Sequence, residues 1–190
     1  MLEFAATALD PDEISGQLVV ESGSCDVNGS VRPIVEAHRP ARYVGTDIRE
    51  GPGVDAVCPA GDLPLLFGCN TAGVVIATEM LEHAENWQVA LTGLIHVLMP
   101  GGPLLLTTRS EGFSYHCHPD FWRFSLAAIS TILKTAGFSV ERCEPDPECP
   151  GVFAKARKPP FWQWHGIQPE WDNLAGVTRV NGGVIPSQYG

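Results

Sequence analysis

The sequence predicts an α/β fold: one domain on a seven-stranded, mostly parallel sheet with helices on both faces. Apolar runs of strand length recur seven times, and amphipathic stripes at helical spacing fall between them. The 190 residues, 44% hydrophobic and 18% charged, suit one core and carry too little charge for disorder.

The strand-like runs are residues 17–21, 42–47, 54–58, 73–78, 103–108, 138–143 and 152–156. Between the fourth and fifth, residues 84–99 place Trp87, Ala90, Leu91, Leu94, Ile95 and Leu98 on one helical stripe, which Pro100-Gly101-Gly102 ends. A further helix begins at Ser125, a suitable N-cap, and runs to Gly137, a suitable C-terminal cap. Strand and helix alternate, which implies parallel strands joined by crossover helices, with a ligand beyond their carboxyl ends. Between strands two and three, Arg49-Glu50-Gly51-Pro52-Gly53 is turn composition, so the usual helix is reduced there. From Pro159 onward the pattern loses its period, and 159–190 is expected as an irregular, tryptophan-rich tail packed on the 1–158 domain. A lid or a subunit contact in a homodimer is the lesser expectation for it.

The net charge of −10 argues against a phosphate-tracking groove and hence against nucleic acid. No apolar run reaches the roughly 20 residues that span a bilayer, and the acidic amino terminus has no basic n-region, so a cytoplasmic protein is expected. The six cysteines lack a C-x-x-C pair and are expected as free thiols.

The richest stretch is LVVESGSCDVNGSVRP, a strand, an acid and a loop of small residues before a short helix. Glycine there permits close backbone approach, and N–H groups at the helix start can meet polar ligand atoms; an ordinary strand-to-helix turn is the alternative. The second strand ends in Asp47, where a carboxylate can accept both hydroxyls of a ribose. Asp62 follows the third run and suits either an exocyclic amine or a turn and helix cap.

With ATEMLEH after the fourth strand and VLMPGGPLLLTTRS beyond it, the chain resembles the class I S-adenosylmethionine (SAM)-dependent methyltransferases, from about residue 17 to 156. The resemblance implies a Rossmann-like sheet of that family's topology and SAM as cofactor. It implies cofactor contacts from Glu21, Gly23, Ser24, Cys25 and Asn28 in the first loop and from Asp47 and Ile48 at the ribose. Asp62 and Leu63 would meet the adenine, and Thr78, Glu79, Met80 and His83 would lie near the sulfonium. Cys25 stands where the family has its second glycine. A dinucleotide-binding domain shares the early strand and ribose acid but requires G-x-G-x-x-G, which is absent. Glu79 is expected to face a cationic centre; the alternative is that Glu79 and Glu82 both favour the positive end of the following helix.

After the fifth strand comes RSEGFSYHCHPDFWRFS. This loop is expected to overhang the reacting methyl, with His116 or His118 as base, Asp120 orienting it, and Tyr115, Trp122 and Arg123 holding substrate. The alternatives are a surface loop whose aromatics pack on the next helix, with Arg123 paired to an acid, and a divalent-ion site; no metal is assigned. No N/D-P-P-Y-type motif follows the fourth strand, which disfavours methylation of base amines. The sequence therefore points to methyl transfer to oxygen or nitrogen of a small-molecule or peptide-like substrate, or else to a non-catalytic member binding a partner.

Overall fold

The computed structural model describes residues 1–114, 119–163, 166–167 and 169–180. Its central sheet runs β3 (Ala56–Val57), β2 (Arg42–Asp47), β1 (Leu18–Ser22), β4 (Val74–Thr78), β5 (Pro103–Arg109), β8 (Gly151–Arg157), β7 (Ser139–Pro145). The first five are mutually parallel, and the β7–β8 hairpin enters antiparallel to β5. The chain moves outward from β1 to β2 and β3, then returns across β1 to β4. The β1–β4 boundary is the topological switch point, where the crevice of such sheets opens.

Period-two alternation sends each strand's side chains to two cores. Val19, Val74, Ile76, Leu105 and Phe153 face a layer holding Phe4 and Ala8 of α1 (Leu2–Ala8), Ile14 of α2 (Pro11–Ile14) and Val35 of α3 (Arg32–Glu36). Val20, Val75, Ala77, Leu104 and Leu106 face the other, with Leu63 of α4 (Leu63–Phe67), Leu91 and Leu94 of α5 (Trp87–Val97) and Ile129 and Ile132 of α6 (Leu126–Thr135). Ser125 caps α6, its hydroxyl accepting from the Ala128 N–H at 3.1 Å, and Gly137 follows it at φ +85°. Residues 48–55 join β2 to β3 without a helix, and only Ala56–Val57 of the expected third strand pairs, which leaves the sheet edge short.

Beyond residue 158 the tail is more regular than its composition suggests. A 3-10 turn spans Pro169–Asn173, and β9 (Val177–Arg179) pairs antiparallel with β6 (Trp122–Phe124). Trp171 is buried, stacked on Trp87 with ring centroids 5.7 Å apart, and its indole N–H donates to Thr135 at 2.8 Å. Lys158, also buried, donates to the carbonyls of Ile95 and Leu98 and so caps the end of α5. No helix among the described residues is long and apolar enough to cross a membrane. The described cysteines, at 25, 58, 69, 143 and 149, are free thiols.

Candidate functional site

A cleft of about 1390 Å³ opens at the carboxyl ends of β1, β2 and β4. Glu21, Gly23, Ser24, Cys25, Asn28, Asp47, Ile48, Asp62, Thr78, Glu79, Met80 and His83 all line it. Leu63 does not: it is fully buried in the core beneath α4, so the expected contact with an adenine has no surface to use.

The first loop turns sharply because Gly23 adopts φ +80°. Its N–H and that of Ser24 both donate to the Thr46 carbonyl, at 2.8 and 3.0 Å. These two amides are therefore engaged by β2. Helix α3 begins only at Arg32, well past the turn.

Two acids stand side by side above this loop. Glu21 is buried and accepts a hydrogen bond from the Tyr43 hydroxyl at 2.5 Å; burial pushes its pKa up to about 7 against that bond and the charge of Arg32. Asp47 is half-buried and accepts long bonds, 3.4 Å each, from the Cys25 and Arg49 N–H groups. Asp62 closes a 3-10 turn, Ala60–Asp62, and is exposed on the cleft wall.

Beyond β4 the backbone is strained at Glu79, which has φ +52°. Its N–H donates to the Thr107 carbonyl at 3.0 Å, while the Thr107 hydroxyl donates to its carboxylate at 2.7 Å. Burial raises the Glu79 pKa, and an ion pair with Arg109 opposes the rise. Arg109 also reaches Asp146 at 2.9 Å and Cys149 at 2.8 Å across the β7–β8 turn. Glu79 therefore faces a cation of the protein itself.

The Leu81–His83 segment is a 3-10 turn. Glu82 is fully buried, accepts from the Thr108 hydroxyl at 2.9 Å, and is pushed up to about 8 by burial and then by the charge of Glu79. It does not serve the following helix; Asn86 caps α5, accepting from the Val89 N–H at 3.3 Å. His83 is half-buried, its Nδ1 lying 2.8 Å from the Pro119 carbonyl. A carbonyl only accepts, so Nδ1 carries the hydrogen.

The segment after β5 divides. Tyr115, His116 and His118 lie outside the described residues. Asp120 and Arg123 form a buried two-pronged ion pair, 2.5 and 2.7 Å, and neither lines the cleft. The carboxylate that was expected to orient a base, and the guanidinium that was expected to hold substrate, satisfy each other. The Trp122 indole donates to the Glu85 carbonyl at 3.1 Å, with Arg179 over its ring at 5.6 Å, and it too stands off the cleft wall. Pro119 and Phe121 face the cleft instead, and the Phe121 N–H, donating to the Glu82 carbonyl at 2.9 Å, pins the segment to the 3-10 turn. Among the described residues no group of His, Cys, Asp and Glu is placed to hold a metal ion.

Several lining residues escaped the sequence. Arg109 meets Asp146 across 37 positions with no motif to announce it. Met1, Leu2, Phe4 and Thr7 of the α1 region form a wall, though α1 spans only seven residues; the pattern of Phe4, Ala5 and Ala8 was its only signal.

No family model matches the chain, and no curated protein does. Solved structures are similar to it. A SAM-dependent methyltransferase from Mesorhizobium loti superposes with TM-score 0.64 at 15% identity, over 83% of this chain and 98% of that one. A Burkholderia thailandensis 1,6-didemethyltoxoflavin-N1-methyltransferase, solved with its substrate and S-adenosylhomocysteine (SAH), superposes with TM-score 0.64 at 15% identity, over 83% and 78% of the two chains. The cyclase SpnF gives TM-score 0.65 at 15% identity over 83% and 80%. The strand order, the antiparallel hairpin beside β5 and these superpositions agree: the chain has the fold of the class I SAM-dependent methyltransferases.

Proposed function

We propose that the protein is a SAM-dependent methyltransferase acting on an oxygen or nitrogen of a small-molecule or peptide-like acceptor. The observation that carries this is one continuous wall on which the ends of β1, β2 and β4 bring Gly23, Asp47, Thr78 and Met80 together at the switch point. The donor set suits the cofactor. Asp47 has lone pairs for a ribose diol, Asp62 for an adenine amine, and exposed Ile48 and Val89 offer apolar surface for a base. When bound, SAM supplies an electrophilic methyl group on a cationic sulfur. The cleft's carboxylates favour such a cation and disfavour a nucleic-acid phosphate chain.

Calorimetric titration with SAH tests the reading. Micromolar binding is expected, with Asp47→Ala weakening it by about 10-fold or more, as loss of a charge-assisted hydrogen bond costs about 1.5–3 kcal/mol. Absence of binding to folded protein overturns it. Incubation with SAM labelled on its methyl group and a panel of phenols, carboxylic acids and amines then identifies the acceptor. A second reading, a non-catalytic module that binds a partner, draws on Phe161, 94% exposed on the tail; it predicts a folded protein that ignores both SAH and the panel.

A further inference from the structure

We propose that the tail strand β9 positions the part of the cleft wall formed by Pro119 and Phe121, and that the backbone N–H of Val180 is the positioning group. The proposal rests on the methyltransferase reading for its probe, SAH. The tail acts from outside: among its described residues, none lines the cleft.

Phe121 has both backbone groups engaged. Its N–H donates to the Glu82 carbonyl at 2.9 Å, and its carbonyl accepts from the Val180 N–H at 2.7 Å. One bond ties the wall to the Leu81–His83 turn, the other to the tail. The Pro119 carbonyl is held at the same turn, 2.8 Å from Nδ1 of His83, and the His83 N–H donates to the Met80 carbonyl at 3.0 Å. Met80 lines the cleft and packs on Gly23 in the loop after β1. Hydrogen bonds and packed side chains thus run without a gap from Val180 to both rims of the switch point.

Among the described residues, β6 pairs with β9 alone. Three residues do not hold an extended conformation by themselves, because the entropy lost in ordering them is offset only by pairing. The tail is also fitted to this one place. Gly176, at φ +85°, accepts the Ser125 N–H at 2.7 Å, so closely that a Cβ there would overlap the Ser125 hydroxyl. The bonds at Phe121 and Ser125 bracket β6, the Thr178 hydroxyl donates to Glu111 at 2.8 Å, and buried Trp171 anchors the chain ahead of them. Coupling through such a path is reciprocal: the free energy by which the Val180 bond favours a ligand in the cleft is that by which the ligand favours the bond.

Val180→Pro removes this donor, and its restriction of Arg179 to extended backbone is already met in β9. Val180→Ala keeps the N–H. Hydrogen exchange followed by NMR reads the amides singly and needs no ligand at first. In free Val180→Pro, the Phe121 N–H should exchange about 3–10-fold faster than in wild type, the range a single hydrogen bond supplies, with Val75 and Ile76 of β4 unmoved. In wild type, saturating SAH should slow the Val180 and Phe121 amides by a similar factor, an effect that a tail serving only stability would not show. By calorimetry, at a temperature where each variant is folded, Val180→Pro should bind SAH about 3–10-fold more weakly and Val180→Ala as the wild type does. Unchanged Phe121 exchange in Val180→Pro overturns the proposal, as does SAH binding that leaves the Val180 amide unmoved. Equal weakening in Val180→Ala would assign the effect to the side chain and overturns it too. Failure of wild type to bind SAH overturns the methyltransferase reading instead, and the exchange of the free proteins then decides the positioning by itself.

Discussion

Gly23 and Met80 are packed so closely that a Cβ on the glycine would lie 2.7 Å from both Cβ and Cγ of Met80. The contact joins the loop after β1 to the loop after β4, the two rims of the switch point. Gly23→Ala meets this wall from a φ of +80°, and the left-handed backbone alone costs about 1–2 kcal/mol for an L residue. Overpacking adds about 1–3 kcal/mol. Urea unfolding is expected to show a loss of roughly 2 kcal/mol or more, and calorimetry a weaker affinity for SAH. A variant as stable as the wild type would mean that the two loops separate freely.

Glu82 makes stability depend on pH in a direction opposite to most carboxylates. Its folded pKa, about 8, lies above the ordinary 4.5, so between these values the native state holds a proton that the unfolded state has lost. The stability it contributes is full below about pH 4.5, declines as pH rises, and is gone above about 8. Glu13, Asp55, Glu141 and Asp146 are lowered and act in the reverse sense, so the observable is a difference between two proteins. Glu82→Gln imitates the protonated acid and still accepts from Thr108. Relative to wild type it should gain on the order of 3–5 kcal/mol between pH 5 and pH 8.5. Parallel stability curves for the two proteins would refute the raised pKa.

The Asp120–Arg123 pair predicts a clean separation of stability from binding. Arg123→Met strands a buried carboxylate, a change that costs about 3–5 kcal/mol. SAH affinity should stay within about twofold, because neither residue lines the cleft. A large fall in affinity, at temperatures where the variant is folded, would restore these residues to the site.

Trp171→Ala removes a fully enclosed indole from between Trp87 and Thr135, and the expected loss is about 3–5 kcal/mol. Thermal unfolding followed by tryptophan fluorescence measures it. A loss under 1 kcal/mol would mean that the tail lies on the surface without belonging to the core.

Much of this was legible because periodicity is a local property. Val74-Val75-Ile76-Ala77 alternates between two cores, and Leu91, Leu94 and Ile95 recur at helical spacing. A neighbour three or four residues away suffices to read either. Side-chain partnership is not local. Nothing in the order of residues says that Asp120 turns back to Arg123 and away from the cleft, since both uses suit an acid and a guanidinium. β6 and β9 were missed for the same reason: each is three residues long and becomes a strand only by finding the other, far along the chain. At Leu63 the resemblance implied an adenine contact, whereas the first residue of α4 is fully enclosed in the core, a burial that only the packed structure reveals.

The docking of the tail bears on how the molecule is made. Gln88 donates to Asp172 across 84 positions, beside the Trp87–Trp171 stack. A ribosome adding about 5–20 residues per second takes roughly 4–17 s to travel that distance. During this time α5 is complete, but the indole of Trp87 lacks the ring that will cover it. The nascent chain therefore presents an apolar face that its own later residues must reach before another chain does.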